Sequence, residues 1–361
     1  MRDGAALTTG SAWGFLALRR GGIRADWTDW VTYGYLMLGV VVMLAPVLWV
    51  VLSSFKSEGN LLEFPPTIWP ETARTAIVKG YDHPLPLYAV QGDDGTTTTL
   101  AQVHRIGIEA RMVDPAHPEA GLATVPVERT RPLRRFHLST ENYTKLLASA
   151  SGRIWSSIYN TVFITVVATV ITLVMNSMAA FALSKYRFRG SNVALLAILA
   201  TLMVPATIVL VPIYLIVSEL GLVNNLWGVI LPVISTPTGV FLLRQYMLTI
   251  PDELLEAARM DHASEWRIFW KLVLPLATPA LAVVAIFSIM SRWNDFLLPL
   301  VVLAKPEVHT LQLALAGYTD ENGIQYGMLL AMTTLTALPL ALGFIFLQRY
   351  ITTGIASTGI K

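Results

Sequence analysis

Two kinds of apolar pattern alternate along this chain. Long runs with almost no charge, Val31–Ser54, Ile154–Ser184, Val193–Val217, Leu226–Met247, Leu276–Leu300 and Tyr326–Leu347, each reach the about 20 residues that an α-helix needs to cross a bilayer. Between the fourth and fifth run lies a stretch of another character, Pro251–Pro275, PDELLEAARMDHASEWRIFWKLVLP. Pro251 suits the first position of a helix, and Asp252 and Glu253 place negative charge where exposed amides and the helix dipole favour it. Ser264 can cap a second helix, on which Trp266, Phe269, Trp270 and Val273 recur at i, i+3, i+4, i+7 and form one apolar stripe. The pattern predicts two short helices meeting near 261–263, either an amphipathic hairpin on the membrane surface or an ordinary loop between spans.

From Phe55 to Arg153 the hydropathy collapses and prolines, glycines and charges of both signs appear, which marks a soluble insertion too long for a simple loop. Leu85–Gln91 and Thr97–Val103 flank a turn-like Asp93-Asp94-Gly95-Thr96, and Arg105–Val113 and Leu122–Val127 also favour strand. A small β-rich domain is therefore expected over 55–153. Residues 1–30 carry Arg2, Arg19, Arg20 and Arg24 without an apolar run of signal-peptide length, and read as a cytoplasmic tail.

The placement of Lys and Arg orients the spans. Lys185, Arg187 and Arg189 follow the second run, and Arg259, Arg267 and Lys271 lie in the 251–275 stretch, whereas Ser218–Leu226 has no basic residue. By the positive-inside rule the first two segments are cytoplasmic and the third is outside. Six spans then bring both termini inside, with a core over 154–348 and a cytoplasmic tail over 349–361. Long domains cross largely regardless of their charge, so the basic residues of 55–153 are compatible with an outside location.

Composition agrees with this reading and narrows the chemistry. The 361 residues are 54% hydrophobic and only 14% charged, which are membrane-protein values, and a net charge of +2 gives no reason to expect nucleic acid. Zero cysteines exclude disulfides and thiolate chemistry, and the six scattered histidines suggest no metal site. There is no G-x-x-x-x-G-K-[ST] phosphate loop, no H-E-x-x-H and no G-x-S-x-G, so neither ATP binding nor hydrolysis is expected of this chain itself. Polar groups within the runs are few: Asn160, Asn176, Arg292, Asn294 and Asp295. Counted along a helix from Leu276, Asp295 lies on the order of 29 Å away, near the outer surface. The Trp293–Asp295 cluster is then either an interfacial anchor or, with Asn176 deeper down, part of a solute path.

Glu256-Ala257-Ala258, then Asp261, Ala263-Ser264, Phe269 and Leu274-Pro275, resemble the EAA loop of ABC-importer permeases. The similarity extends to Ala180–Leu183 with Phe188-Arg189-Gly190, to Val204-Pro205, to Phe241–Gln245 and to Trp293–Phe296. These point to the carbohydrate branch, the maltose permease-like subunits without extra N-terminal spans. The resemblance implies an all-α polytopic membrane protein of six transmembrane helices with a cytoplasmic EAA coupling loop, plus the β-rich extracytoplasmic insertion. Its expected partners are a second, different permease subunit, a dimer of cytoplasmic ATP-binding subunits, an extracytoplasmic solute-binding protein and membrane lipid. ATP and Mg would be held by the partner ATPase and no cofactor by this chain, in a bacterial or archaeal inner membrane. Glu256, Ala257, Ala258, Asp261, His262, Ala263, Ser264, Phe269 and Pro275 would couple to that ATPase, and Asn294, Asp295 and Asn176 would line the solute path.

His262 departs from the family, which has glycine there, so either the turn tolerates histidine or the side chain makes a contact of its own. The solute could be an oligosaccharide, a glycerol phosphate or another polyol. Two other functions compete. A secondary transporter would need intramembrane ionisable groups and usually an internal repeat. A membrane-anchored binding protein would make 55–153 its working part.

Overall fold

The structure, a computed structural model, describes residues 27–61, 66–92, 96–149, 153–317 and 325–356. The expected N-terminal tail falls outside the described residues as far as 26, as do the 93–95 turn and residues 357–361. The chain divides into two units, residues 1–50 and 51–361. In the first, the described part is most of helix α1 (Trp27–Ser54), which begins four residues ahead of the expected span. Its apolar side chains are exposed along the length of the helix, Trp30 by 74% and Met43 by 77%. A helix apolar all round is suited to lipid.

The second unit opens with the end of α1, the short helix α2 (Glu58–Leu61) and a β-rich segment. Its strands are β1 (Glu71–Ala73), β2 (Thr75–Ala76), β3 (Leu85–Gln91), β4 (Thr97–Ile106), β5 (Glu109–Val113), β6 (Ala123–Pro126), β7 (Thr130–Pro132) and β8 (Arg134–Phe136). Strands β2 to β6 form an antiparallel meander, β7 returns to pair with β3, and β1 pairs with β8. Alternation along the strands sends Leu85, Ala101 and Val113 to one small core with Val78, and Val90, Ala110 and Met112 to another. The expected single run Arg105–Val113 is two strands. Gly107, at φ +59°, occupies the first central position of a two-residue hairpin turn, a place that favours glycine. The unexpected helix α3 (Glu141–Ser149) closes the segment. From it the buried Asn142 donates to the backbone oxygens of Ser54 (2.8 Å) and Lys56 (2.7 Å), tying the end of the insertion to its start.

The rest is helical: α4 (Arg153–Lys185), α5 (Ser191–Ala200), α6 (Ala206–Glu219), α7 (Leu226–Ile230), α8 (Pro237–Met247), α9 (Asp252–Met260), α10 (Glu265–Ile268), α11 (Leu274–Leu276), α12 (Thr278–Trp293), α13 (Leu297–Val302), α14 (Leu311–Ala316) and α15 (Tyr326–Ala356). By length and composition α1, α4 and the Tyr326–Ile345 part of α15 can each cross a membrane unbroken. Three further stretches reach that length only as bent pairs. Val193–Val217 turns by 103° between Met203 and Ala206. Leu226–Met247 bends by 45° between Val233 and Pro237, and Glu265–Leu276 meets Thr278–Trp293 at 78°, so that the fifth expected span begins at a bend. Its helix also stops at Trp293, short of the expected Leu300. Proline sits at each of these helix starts, Pro205, Pro237 and Pro279, where its missing N–H prevents the preceding helix from simply continuing. Helix α15 continues past the expected end at Leu347 to Ala356.

Helix α4 is the centre of the packing. Its Ala180 and Phe181 join one hydrophobic core, Ile164 and Ala168 a second, and Ile154 a third.

Candidate functional site

The 251–275 stretch folds as a helix–turn–helix. Pro251 stands immediately before the helix, extended at ψ 135°, and α9 starts at Asp252 with Asp252 and Glu253 in its first turn. The turn closes in the Schellman manner: His262 N donates to Arg259 O and Ala263 N to Ala258 O, both at 3.0 Å. His262 takes the left-handed conformation this motif requires, φ +56°, one of two non-glycine residues with positive φ among the described residues. Ala258 and Ala263 pack against the same core, supplying the apolar contact that accompanies the motif. Ser264 then caps α10, its Oγ accepting from Arg267 N at 3.3 Å.

After Ile268 the helix widens into a π turn over Phe269–Val273. The buried face is centred on Ile268 and Phe269, with Val273 one π turn on, because these side chains meet Phe181 of α4 and Leu243 and Met247 of α8. The Phe181 and Phe269 rings are 5.4 Å apart. The expected stripe is therefore divided: Phe269 and Val273 are buried, Trp270 is half-buried, and Trp266 is 61% exposed.

The hairpin is tied at its base to the C-terminal end of α4. Lys185 Nζ donates to Ile250 O (2.5 Å) and to Asp252 Oδ1 (2.7 Å). Tyr186 Oη donates to Glu265 Oε2 (2.5 Å), and Arg259 Nε to Glu265 Oε1 (2.8 Å). Arg244 Nε, from α8, donates to Leu183 O at 3.1 Å. These contacts set the local charge states. The Lys185 hydrogen bond holds the Asp252 carboxyl below its ordinary range, and Arg259, then Tyr186, do the same for Glu265. Burial, then the bond to Glu265, pushes the Tyr186 phenol up to about 12. The basic residues of 185–189 and 244–259 were read from sequence only as markers of orientation. Nothing in the local pattern reveals that Lys185 and Tyr186 reach partners more than 60 positions away.

Away from this base the hairpin is bare. Glu256, Ala257, Asp261, His262, Ser264 and Pro275 are exposed, as are the apolar Leu254, Met260 (80%) and Trp266.

The residues expected along a solute path do not converge. Asn176 is fully buried in α4 and spends its amide inside the chain, its Nδ2 donating to Thr236 Oγ1 (2.9 Å) while its Oδ1 accepts from Ser235 Oγ (2.9 Å) and Thr236 N (3.1 Å). Asp295 follows the end of α12, half-buried in the short link before α13 begins. Asn294 alone of the three faces a cavity, a mainly apolar 660 Å³ space between α4, α12 and α15, with Thr165, Trp293, Gln312 and Thr336 also on its wall. Arg292 is buried beside a second space of 280 Å³, its Nη2 donating to Val233 O and, at 2.9 Å, to Thr172 Oγ1. Among the described residues no group of three or more His, Asp or Glu is placed to hold a metal ion.

The family described as "Binding-protein-dependent transport system inner membrane component" matches residues 174–357, which include the whole hairpin. The chain is 40% identical to the arabinooligosaccharides transport system permease protein AraQ of Halalkalibacterium halodurans, over 62% of this chain and 80% of that one. It is 26% identical to the diacetylchitobiose uptake system permease protein NgcG of Streptomyces coelicolor, over 89% of this chain and 85% of the other, a match long enough to take in much of the insertion. Among solved structures, a chain of a bacterial ABC transporter that imports the acidic polysaccharide alginate superposes with a TM-score of 0.62 at 23% identity, covering 91% of this chain and 99% of that one. An apolar helical chain with a helix–turn–helix tied to its central helix thus has the membrane fold of an ABC permease. It belongs to the binding-protein-dependent transport system inner membrane component family, as a permease subunit of an ABC importer and not an enzyme.

Proposed function

We propose that this subunit passes an oligosaccharide-type sugar across the membrane, with a second and different permease subunit beside it and a solute-binding protein delivering the sugar from outside. An ATPase dimer, which holds the ATP and Mg, seats the hairpin from the cytoplasm. The observation that carries this reading is the hairpin itself, fixed at its base by hydrogen bonds to the end of α4 and by the packing of Ile268 and Phe269, and bare on its outer side, where Glu256 and Ala257 lie along the helix from exposed Leu254 and Met260. An alanine allows close approach, and an apolar patch rimmed by charge suits a protein partner. The sugar is inferred from the relatives' own substrates. Asn294, on the wall of the larger cavity, is the group of this chain placed to meet it.

The topology belongs to the same proposal. Basic residues at 185–189 and 244–271 favour those loops inside, so the three unbroken helices, the bent stretches 191–219 and 226–247, and α12 with α13 make six spans with both termini cytoplasmic and 55–153 outside. Alkaline phosphatase inserted at Gly107 is expected to be active and at Gly190 inactive, and the reverse would overturn the orientation. Function is tested by uptake into proteoliposomes containing the purified complex. Labelled oligosaccharide should enter only with ATP at the hairpin side and binding protein at the other. Uptake of glycerol phosphate in place of sugar would overturn the substrate, and uptake driven by an ion gradient without the ATPase would overturn the whole reading.

A further inference from the structure

A hairpin that receives motion from a partner must hand it to the membrane helices, and two routes are covalent. Helix α8 leads into α9, and the π segment leads through Ala277 into α12. The first route meets the 45° bend at 234–236 on the far side of α8, and the second passes the 78° bend at Ala277; backbone at a bend absorbs displacement by changing φ and ψ over a few residues.

A third route is made of side chains. Lys185 and Tyr186, the last residue of α4 and the one after it, each hold a different half of the hairpin. Lys185 grips the start, through Ile250 O and Asp252, with its own side chain only 3% exposed. Tyr186 grips the second helix through Glu265, which Arg259 of the first helix also binds, so that the two halves are joined to each other at the point where they are joined to α4. Just behind, Phe181 packs on Phe269 and Arg244 holds the Leu183 carbonyl, which braces the final turn of α4 against α8 and the π segment. Helix α4 runs unbroken for 33 residues and contributes to all three hydrophobic cores of the helical region. A close-packed interior transmits a shift of such an element to its neighbours.

We propose that Lys185 and Tyr186 are positioning residues for energy coupling. They fasten the hairpin to α4, so that its displacement is delivered to the central helix directly instead of being absorbed at the two bends. Neither residue touches solute or nucleotide; both act through the hairpin. The inference rests on the reading that the hairpin docks an ATPase, and the test separates the two.

The assembled complex, in proteoliposomes with binding protein and sugar, is compared for the wild type, Tyr186→Phe, Lys185→Met and the double variant. Tyr186→Phe removes one oxygen and keeps the ring; Lys185→Met keeps most of the buried stem and removes the charge. Two quantities are measured: ATP hydrolysed per sugar imported, and the yield of a cross-link from Ala257→Cys to the ATPase, introduced into a chain that has no cysteine of its own. The double variant should raise ATP used per sugar about fivefold or more, the scale of an ordinary coupling between sites, with cross-link yield kept. Lys185→Arg, which can still reach Ile250 O and Asp252, should restore most of the wild-type ratio. An unchanged ratio with the cross-link intact overturns the fastening role and leaves docking standing. A wild-type complex that forms no cross-link at Ala257→Cys overturns docking and the inference with it. If the double variant does not assemble, Tyr186→Phe alone decides: a raised ratio supports the inference and an unchanged one overturns it.

Discussion

Two breaks in the apolar helices differ in what makes them. Between α5 and α6 the chain turns at Val204 and Pro205, both in extended conformation, and residues 201–208 are all exposed. The polar contacts at this turn are local, Thr201 Oγ1 to Ile198 O at 2.6 Å and Val204 N to Thr201 O at 3.2 Å. Between α7 and α8 the chain is held from two sides. Arg292 of α12 and Thr172 of α4 donate to Val233 O at the end of the first piece. Asn176 binds Thr236 by both amide and hydroxyl at the start of the second. A cation at the C-terminal end of one piece and an amide oxygen at the N-terminus of the next are the partners those free backbone groups require. The first break follows from proline in the backbone, whereas the second is a lock built from distant side chains. The locked one leads into α8 and the hairpin.

The largest effect should come from opening that lock. Asn176→Leu keeps the volume and leaves the half-buried Thr236 amide and hydroxyl without these partners. It should cost roughly 2–4 kcal/mol, at about 1–3 kcal/mol per unsatisfied group. A fall in the thermal unfolding midpoint of the detergent-solubilised complex measures it, and an unchanged midpoint would mean the break does not depend on these bonds. Gly239→Ala should cost somewhat less. Its Cβ would stand 2.6 Å from Thr236 Oγ1 and overlap the Asn176 amide, so the bonds must shift to make room. Overpacking of this kind costs about 1–3 kcal/mol, and the double variant with Asn176→Ala, which vacates the space, should lose less than the sum of the two single changes.

Arg292→Met removes a donor to Val233 O but also removes the burden of a buried charge, and Thr172 still donates to the same oxygen at 3.3 Å. These opposing terms leave an expected loss of about 1 kcal/mol. If the midpoint falls further than for Asn176→Leu, the order of importance within the lock is reversed and the guanidinium is its main member.

Regular, local features were legible in the sequence and long-range ones were not. The hairpin could be read because its signals are short-range: acidic residues after Pro251, a capping Ser264, and a turn at 261–263 where a histidine replaces the usual glycine. Strands β3 and β4 were legible for the same reason, from alternation and turn residues. Hydropathy detects how apolar a stretch is and not whether it is straight; prolines such as Pro205 and Pro232 mark where the backbone can bend, but not that it bends by 103° at 204–205 and by 45° at 234–236. Asn176 was recognised as an expensive polar group but assigned to a solute path, because its partners, Ser235 and Thr236, lie about 60 positions on. Helical periodicity assumes a constant pitch, and for that reason missed the π turn and the resulting exposure of Trp266.

The smallest change in stability and the clearest change in shape are expected at the unlocked break. Pro205→Ala restores an N–H and removes the ring that prevents α5 from continuing, and no side chain among the described residues is hydrogen-bonded across this turn to hold it. The loss of stability should stay within about 1 kcal/mol, the usual size of a proline effect on the unfolded chain. The geometry should respond more strongly. As one helix, residues 191–219 would span roughly 43 Å at 1.5 Å per residue, and the 103° bend shortens that distance. Spin labels at Asn192→Cys and Ser218→Cys, the only thiols in this chain, report the separation by pulsed dipolar spectroscopy in the reconstituted complex. A longer separation in Pro205→Ala would establish that this break, which no distant side chain holds among the described residues, is a property of the backbone. An unchanged separation would instead show that packing against neighbouring helices imposes the 103° turn, and the contrast between the two breaks would fail.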